Sequence, residues 1–401
     1  MDQSNDSVVI IGGSAAGLSA AGGLREGGHT GPIVVLDEEF MPGYDRPMLS
    51  KGMLAGKQDA EPAALRTAEQ LAEQGIEVLA GHAAMGLDID RRLIVTNWGE
   101  ALPWRDAVIA TGVRARPLVT TSGVPLPTLR TRADLATARQ LAADGRPVTL
   151  IGAGFIGLEV AASLRSRGVE VCVVNDLELP LATIVGVQVA RWLCDLHVHH
   201  GVELELGVPT TSVVETQDGY DIGLADGRVR TAELVLAGIG TDPSTEWLIG
   251  SGVELDGGVV TDGAGRTNLA GVWATGDVAS TPSTRRGGHR RFEHWTHAIE
   301  NGRQVGLNIA RGETVPYVGV PYVWTEQYGH TIHMLGERQP GDDDVLIEGD
   351  LASGEFVMAH ARDGELHGAT ICGRTRALRT FKKLLRADAS LADARITVTS
   401  V

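Results

Sequence analysis

The sequence predicts an α/β protein with two Rossmann-like dinucleotide-binding domains and a small α+β domain at its C-terminal end, and three observations predict it. Two glycine-rich turns, Gly12-Gly13-Ser14-Ala15-Ala16-Gly17 and Gly152-Ala153-Gly154-Phe155-Ile156-Gly157, lie 140 residues apart. Each stands between an apolar run suited to a buried parallel strand and a small-residue helical stretch. The runs are Val8-Val9-Ile10-Ile11 and Val148-Thr149-Leu150-Ile151; the helices open with Leu18-Ser19-Ala20-Ala21 and Leu158-Glu159-Val160-Ala161-Ala162. From about Val320 the pattern changes to short runs such as Val345-Leu346-Ile347, Phe356-Val357-Met358 and Gly368-Ala369-Thr370-Ile371. Alternation with turn residues predicts an antiparallel sheet there, followed by one helix.

Glycines between such a strand and helix let backbone N–H groups approach a pyrophosphate at the positive end of the helix. After the first turn, Ile33-Val34-Val35-Leu36 reads as a second strand ending at Asp37-Glu38, about twenty residues beyond Gly17, where an acid can accept ribose hydroxyls. Three further strands end in a glycine turn aimed at a cofactor: one leads into Ala110-Thr111-Gly112, one runs from Leu234 to Gly240, and one leads into Gly276-Asp277. The second glycine turn lies in a segment that reads as inserted. The expected boundaries are 1–117 with 240–319 for the first domain, 118–239 for the second and 320–401 for the third.

Bulk properties narrow the function. The 401 residues are 43% hydrophobic with 52 glycines, suiting a glycine-turn-rich α/β protein, and no apolar stretch approaches membrane-spanning length. The start is polar and acidic and lacks the basic flank of a signal peptide, so a cytoplasmic location is expected. A net charge of −16 argues against nucleic-acid binding. Cys172, Cys194 and Cys372 are far apart in sequence, so neither a disulfide framework, a redox dithiol nor a thiolate metal site is indicated.

Near Tyr44-Asp45-Arg46-Pro47-Met48-Leu49-Ser50-Lys51 the chain resembles the flavin-dependent ferredoxin reductases of bacterial oxygenase systems, the putidaredoxin reductase-like class. The match continues through Gly152–Glu159, Thr275-Gly276-Asp277-Val278-Ala279, Glu293-His294-Trp295 and Tyr322-Val323-Trp324-Thr325-Glu326-Gln327. The resemblance implies an FAD domain, an inserted NAD domain and a C-terminal interface domain in a glutathione-reductase-like architecture. It also implies FAD contacts at Gly12, Ser14, Ala15, Ala16 and Gly17 for the pyrophosphate and at Asp37 or Glu38 for the adenosine ribose. Further FAD contacts implied are Ala84, Arg46, Pro47, Lys51, Ala110, Thr111, Gly112, Arg130, Gly276, Asp277, Glu293, His294, Trp295 and Trp324. For NAD it implies Gly152, Gly154, Phe155, Ile156, Gly157, Glu159, Asn175, Asp176 and Gly240, with Phe155 an aromatic gate and Glu159 a partner of the carboxamide. Lys51, Glu159 and Trp324 become the expected catalytic residues; no metal is expected.

The chain departs from the family pattern in two places. Ser14 replaces a glycine, and after Val171-Cys172-Val173-Val174 the residues Asn175 and Leu179 stand where the family has an acid and an arginine. Asn175 can still bond a ribose hydroxyl, and Asp176 with Glu178 would repel a 2′-phosphate, so NADH is expected over NADPH. The partner implied is an acidic iron–sulfur ferredoxin serving a haem monooxygenase or ring-hydroxylating oxygenase. For its docking the basic residues are Arg376, Arg379, Lys383 and Arg386 on the last helix, the cluster Arg285, Arg286, Arg290 and Arg291, and Arg303. Leu378, Phe381 and Leu385 read as that helix's apolar side. Alternatives within the fold are a rubredoxin reductase, a nitrite-reductase component or an NADH oxidase; from another class comes a non-catalytic protein like apoptosis-inducing factor.

Overall fold

The structure is a computed structural model that describes residues 6–41, 43–58, 61–143, 145–283 and 287–399. The chain divides into two compact units, one formed by Met1–Asp45, Ala63–Arg114 and Asp242–Gly319, the other by Arg46–Pro62, Ala115–Thr241 and Val320–Val401.

The first unit is built on a five-stranded parallel sheet whose spatial order is Val272–Ala274, Asp106–Ile109, Val8–Ile11, Ile33–Asp37, Ile76–Ala80. Val8 to Ile11 are all buried, as a central parallel strand covered on both faces requires. The Ala15–Glu26 helix packs Ala16, Leu18, Ala20, Ala21 and Leu24 into the core on one face of this sheet, together with Val305 and Ile309 of the Trp295–Arg311 helix. Those two helices touch closely because Gly302 lies against the backbone of Ala16 and Gly306 against that of Ala20. An antiparallel sheet of Ala84–Asp88, Leu93–Thr96 and Ala101–Pro103 completes the crossover before Asp106–Ile109.

The second unit repeats the plan. Its parallel sheet runs Val202–Leu206, Val171–Asn175, Val148–Ile151, Leu234–Ala237, with the Phe155–Arg165 helix following the central strand. The same unit holds the C-terminal sheet, antiparallel throughout, in the order Tyr322–Gln327, His330–Gly336, Glu365–Cys372, Glu355–Arg362, Asp343–Asp350. Asp344 ties this sheet to the Val187–His199 helix by accepting from Val187 N at 3.0 Å. Burial pushes its pKa up, but the His360 and Arg338 donors outweigh that and hold the carboxyl below the usual range.

Where the sequence pattern predicts one helix after this sheet, the structure has two, Thr375–Arg386 and Leu391–Thr399. The chain breaks at Asp388, in the left-handed region at φ 47°, and restarts where Ser390 and Asp393 cap one another. The last helix buries little beyond Ala394 and leaves Ile396 exposed, which is why its amphipathic signal is weak in the sequence. Among the described residues no helix is long and apolar enough to cross a membrane, and no His/Cys/Asp/Glu group is arranged to hold a metal.

Candidate active site

In the first unit the glycine turn is shaped by its backbone. Gly12 sits at φ +116°, and a Cβ there would collide with the Ala110 carbonyl at the end of the adjacent strand. The Ala15–Glu26 helix then begins at Ser14 with no side-chain cap, so its first N–H groups are left to another partner. Asp37 closes the neighbouring strand with its buried carboxylate against Gly13, while Glu38 is exposed. Of the two acids, Asp37 is therefore the one beside the turn. Thr111 donates to the Ser244 carbonyl at 2.8 Å, fixing the Ala110-Thr111-Gly112 turn. Gly276-Asp277-Val278 forms a short helical turn directly after the Val272–Ala274 strand.

The second turn reproduces this construction. Gly152 is at φ +108° against the Gly238 carbonyl, and the Phe155–Arg165 helix begins at Gly154 without a side-chain cap. A Cβ on Gly154 would meet nothing within 4 Å. Protein packing therefore does not demand glycine here, and the same slot in the first turn holds the half-buried Ser14. Phe155 is half-buried and Ile156 exposed, so this side of the turn faces outward. Asn175 is occupied differently from the expectation: its Oδ1 accepts from Ala153 N at 2.9 Å and its Nδ2 donates to Leu177 O at 3.1 Å. The side chain is engaged at both ends in bracing the turn, which leaves one amide hydrogen and the oxygen's second lone pair for a ribose. Asp176 and Glu178 are exposed, and Gly240 is in the left-handed half of backbone space at φ +108°.

One turn into the second helix lies a buried ion pair. Glu159, 2% exposed, accepts from Lys51 Nζ at 2.8 Å and Ser50 Oγ at 2.5 Å on Oε2, and from Thr325 Oγ1 at 2.7 Å on Oε1. Lys51 is also buried and its ammonium donates to the Pro47 carbonyl at 3.2 Å. Three distant stretches of chain thus meet at one carboxylate, and two of the residues that meet there, Lys51 and Glu159, are expected site residues. Trp324, on the same strand as Thr325, faces the other way, stacked on Tyr322 with centroids 5.9 Å apart. Arg46 donates to the Arg130 carbonyl at 3.0 Å, which joins two more of the expected residues.

Sequence reasoning missed Ser50 and Thr325 as partners of the Glu159 carboxylate. The available signal was strand alternation: in Tyr322–Gln327, Thr325 and Gln327 share the face opposite Trp324 and Glu326.

The other expected residues are dispersed. Ala84 opens its strand, half-buried. Glu293 pairs with Arg291 at 2.8 Å, and Trp295 begins its helix after His294. His294 Nδ1 and the nearby His297 Nε2 are buried without a partner among the described residues, and burial lowers these histidines to about 4 and about 3. Arg303 is held by Glu26 through both guanidinium nitrogens that face it, so its charge is already matched. Arg376, Arg379, Lys383 and Arg386 are exposed along one face of their helix, whose buried seam is Ala377, Phe381 and Leu385, with Leu378 at its edge. Arg290 is exposed on a short strand; Arg285 and Arg286 lie outside the described residues.

Two open cradles, each on an uncapped helix start and each closed to a Cβ at its first glycine, fit two dinucleotides. A family model described as pyridine nucleotide-disulphide oxidoreductase matches residues 6–302, and one described as reductase C-terminal matches 322–401. The chain belongs to the pyridine nucleotide-disulphide oxidoreductase family. It is 32% identical over 383 residues to the biphenyl dioxygenase system ferredoxin–NAD(+) reductase component of Paraburkholderia xenovorans, covering 95% of this chain and 93% of that one. It is 33% identical over 363 residues to putidaredoxin reductase of Pseudomonas putida, covering 88% and 85%. A crystal structure of a ferredoxin reductase from Rhodopseudomonas palustris superposes with a TM-score of 0.91 at 30% identity, covering 96% of each chain. The covalent putidaredoxin reductase–putidaredoxin complex gives 0.89 at 29% identity, covering 96% of this chain and 94% of that one.

Proposed function

We propose that this chain is an NADH-dependent, FAD-containing ferredoxin reductase of an oxygenase system. The observation that carries the reading is the Lys51–Glu159 pair, buried one turn into the helix that starts at the second cradle. The chemistry FAD supplies when bound is the exchange of one hydride for two single electrons. The chain's contribution is to hold and orient. Gly12, Ser14, Ala15, Ala16 and Gly17, with Asp37, would bind the FAD pyrophosphate and ribose; Ala84, Arg46, Pro47, Ala110, Thr111, Gly112, Arg130, Gly276, Asp277, Glu293, His294 and Trp295 are assigned to the same group by the family resemblance. The unpartnered nitrogens of His294 and His297 support a polar ligand in the first unit.

Gly152, Gly154, Phe155, Ile156, Gly157 and Gly240 would receive the nicotinamide dinucleotide, with Asn175 bracing the turn and Asp176 disfavouring a 2′-phosphate. Glu159 would orient the carboxamide and Lys51 would offer positive charge where negative charge accumulates during reduction. Both oxygens of Glu159 already accept from protein donors, so any ligand amide must share them. The three-domain division expected from the sequence, 1–117 with 240–319, 118–239 and 320–401, goes with this reading, as does a cytoplasmic location.

Cysteine chemistry does not compete. Burial pushes Cys172 up to about 12 and both Cys194 and Cys372 up to about 11, so a thiolate nucleophile of the kind oxidases of this fold use is disfavoured. The partner is an acidic ferredoxin attracted by the exposed face of the Thr375–Arg386 helix and by Arg290. Reduction of cytochrome c should be rapid with NADH and a [2Fe–2S] ferredoxin and slow without the ferredoxin. Ferredoxin-independent oxygen consumption at the same rate would replace the reading with an oxidase; a preference for NADPH would overturn the nucleotide assignment.

A further inference from the structure

The Lys51–Glu159 pair is the end of a longer thread of buried polar groups in the second unit. Thr325 Oγ1, which donates to Glu159 Oε1 at 2.7 Å, itself accepts from Gln327 Nε2 at 3.1 Å. Gln327 Oε1 is 2.7 Å from His197 Nε2, and His197 Nδ1 is 3.0 Å from the Tyr328 hydroxyl. Thr325 and His197 are 0% exposed, Gln327 1% and Glu159 2%, so no solvent competes for the bonds between Glu159 and His197, while Tyr328 is half-buried.

Donor and acceptor counting gives the thread one direction. A carboxylate only accepts, so the Thr325 proton points at Glu159. The Thr325 oxygen must then accept from Gln327, which turns the amide so that its carbonyl meets His197. That carbonyl requires a proton on Nε2, and Nδ1, left as an acceptor, takes the Tyr328 O–H. Burial lowers His197 to about 4, in keeping with a neutral ring. The thread does not carry protons, because an amide nitrogen has no lone pair with which to receive one from Thr325. Its capacity is to orient.

The hairpin supports the same conclusion. Tyr328 is in the left-handed region at φ 51°, which a bulky residue seldom adopts. It occupies the first turn position between Tyr322–Gln327 and His330–Gly336, where asparagine or glycine is the usual choice. In that conformation its ring stacks on His200 at 3.8 Å and its hydroxyl reaches His197. Strain of this kind persists where surrounding contacts over-determine it.

We propose that His197 is a positioning residue for the reaction: as the neutral Nε2–H tautomer it sets Gln327, which sets Thr325, which holds the Glu159 carboxylate and so the Lys51 ammonium in place. This rests on the nicotinamide role proposed for Glu159. Two measurements on the FAD-loaded enzyme test it. Nitrogen-15 NMR of histidine-labelled protein should show His197 as a single Nε2–H tautomer, converted to a mixture by Thr325→Val. A ring protonated at Nδ1, or one unaffected by Thr325→Val, overturns the proposal whatever the enzyme's substrate. In stopped-flow, His197→Leu should slow flavin reduction by NADH about ten- to a hundredfold at saturating NADH, while His197→Gln, whose Nε2 stands near the lost nitrogen, should recover most of that rate. Equal rates for the wild type and both variants, or equal losses in both, overturn it. No reduction of the wild type by NADH would instead refute the functional reading and leave the tautomer result to decide the thread.

Discussion

Glutamine at position 159 preserves shape and removes the charge that Lys51 faces. In the native structure Oε2 takes the Lys51 ammonium and the Ser50 hydroxyl, while Oε1 takes Thr325. If the glutamine nitrogen replaces Oε2 it confronts two donors; if it replaces Oε1 it confronts Thr325, whose own proton then has no anion to serve. In the first orientation the ammonium keeps only the Pro47 carbonyl at 3.2 Å; in the second its carboxylate partner is reduced to a neutral amide oxygen. Removing one member of a buried pair costs about 3–5 kcal/mol. Lys51→Met should cost less, toward the lower end of that range. The surviving carboxylate keeps two hydroxyl donors, each worth roughly 1.5–3 kcal/mol to a charged acceptor. Lys51→Met combined with Glu159→Leu removes both charges and should recover part of the loss, an interaction of about 2 kcal/mol or more. Native-state hydrogen exchange of the Phe155–Arg165 amides is the suitable assay, since it reads local opening without assuming that the whole chain unfolds in one step. A Glu159→Gln cost below about 1 kcal/mol, the value of a solvated pair, would refute the reasoning, as would Lys51→Met being the more damaging change.

The two cradle glycines separate folding from binding. Gly152→Ala forces a side chain onto the Gly238 carbonyl at φ +108° and should destabilise by upwards of about 1 kcal/mol. Gly154→Ala meets open space and should melt like the wild type while raising the KM for NADH. A second prediction concerns acid. Burial lowers His197 from 6.5 to about 4, so the unfolded chain binds a proton in this window that the folded chain refuses. Its stabilising contribution is complete above pH 6.5 and falls as pH drops toward 4, by about 3 kcal/mol in all; urea titrations across that range should show a shallower fall for His197→Gln. Finally, Arg379→Glu with Lys383→Glu should slow ferredoxin reduction about tenfold at low ionic strength and flatten its dependence on salt, read by steady-state turnover against ferredoxin concentration.

The parts legible in the sequence are those that short stretches of backbone impose. A glycine at positive φ between a four-residue apolar strand and a small-residue helix states its geometry locally, and both cradles form where that signal stands. The buried carboxylate site is not local in this sense. Ser50 and Lys51 reach Glu159 across more than a hundred residues of sequence, and Thr325 arrives from 166 residues further on, brought by a sheet whose own order is a product of the fold. Asn175 shows a different limit. A polar residue at the end of a parallel strand can serve a ribose or serve the turn beside it, and the letter alone does not distinguish the two. The structure spends its oxygen on Ala153, 22 residues back. On the proposed reading, discrimination between NADH and NADPH then passes from a buried hydrogen bond to the exposed carboxylates of Asp176 and Glu178. Charges in that position act through solvent and are screened by salt. On that reading the cradle would judge the ribose beyond it by the repulsion of Asp176 and Glu178, beside the one amide hydrogen and the second lone pair that Asn175 leaves for it.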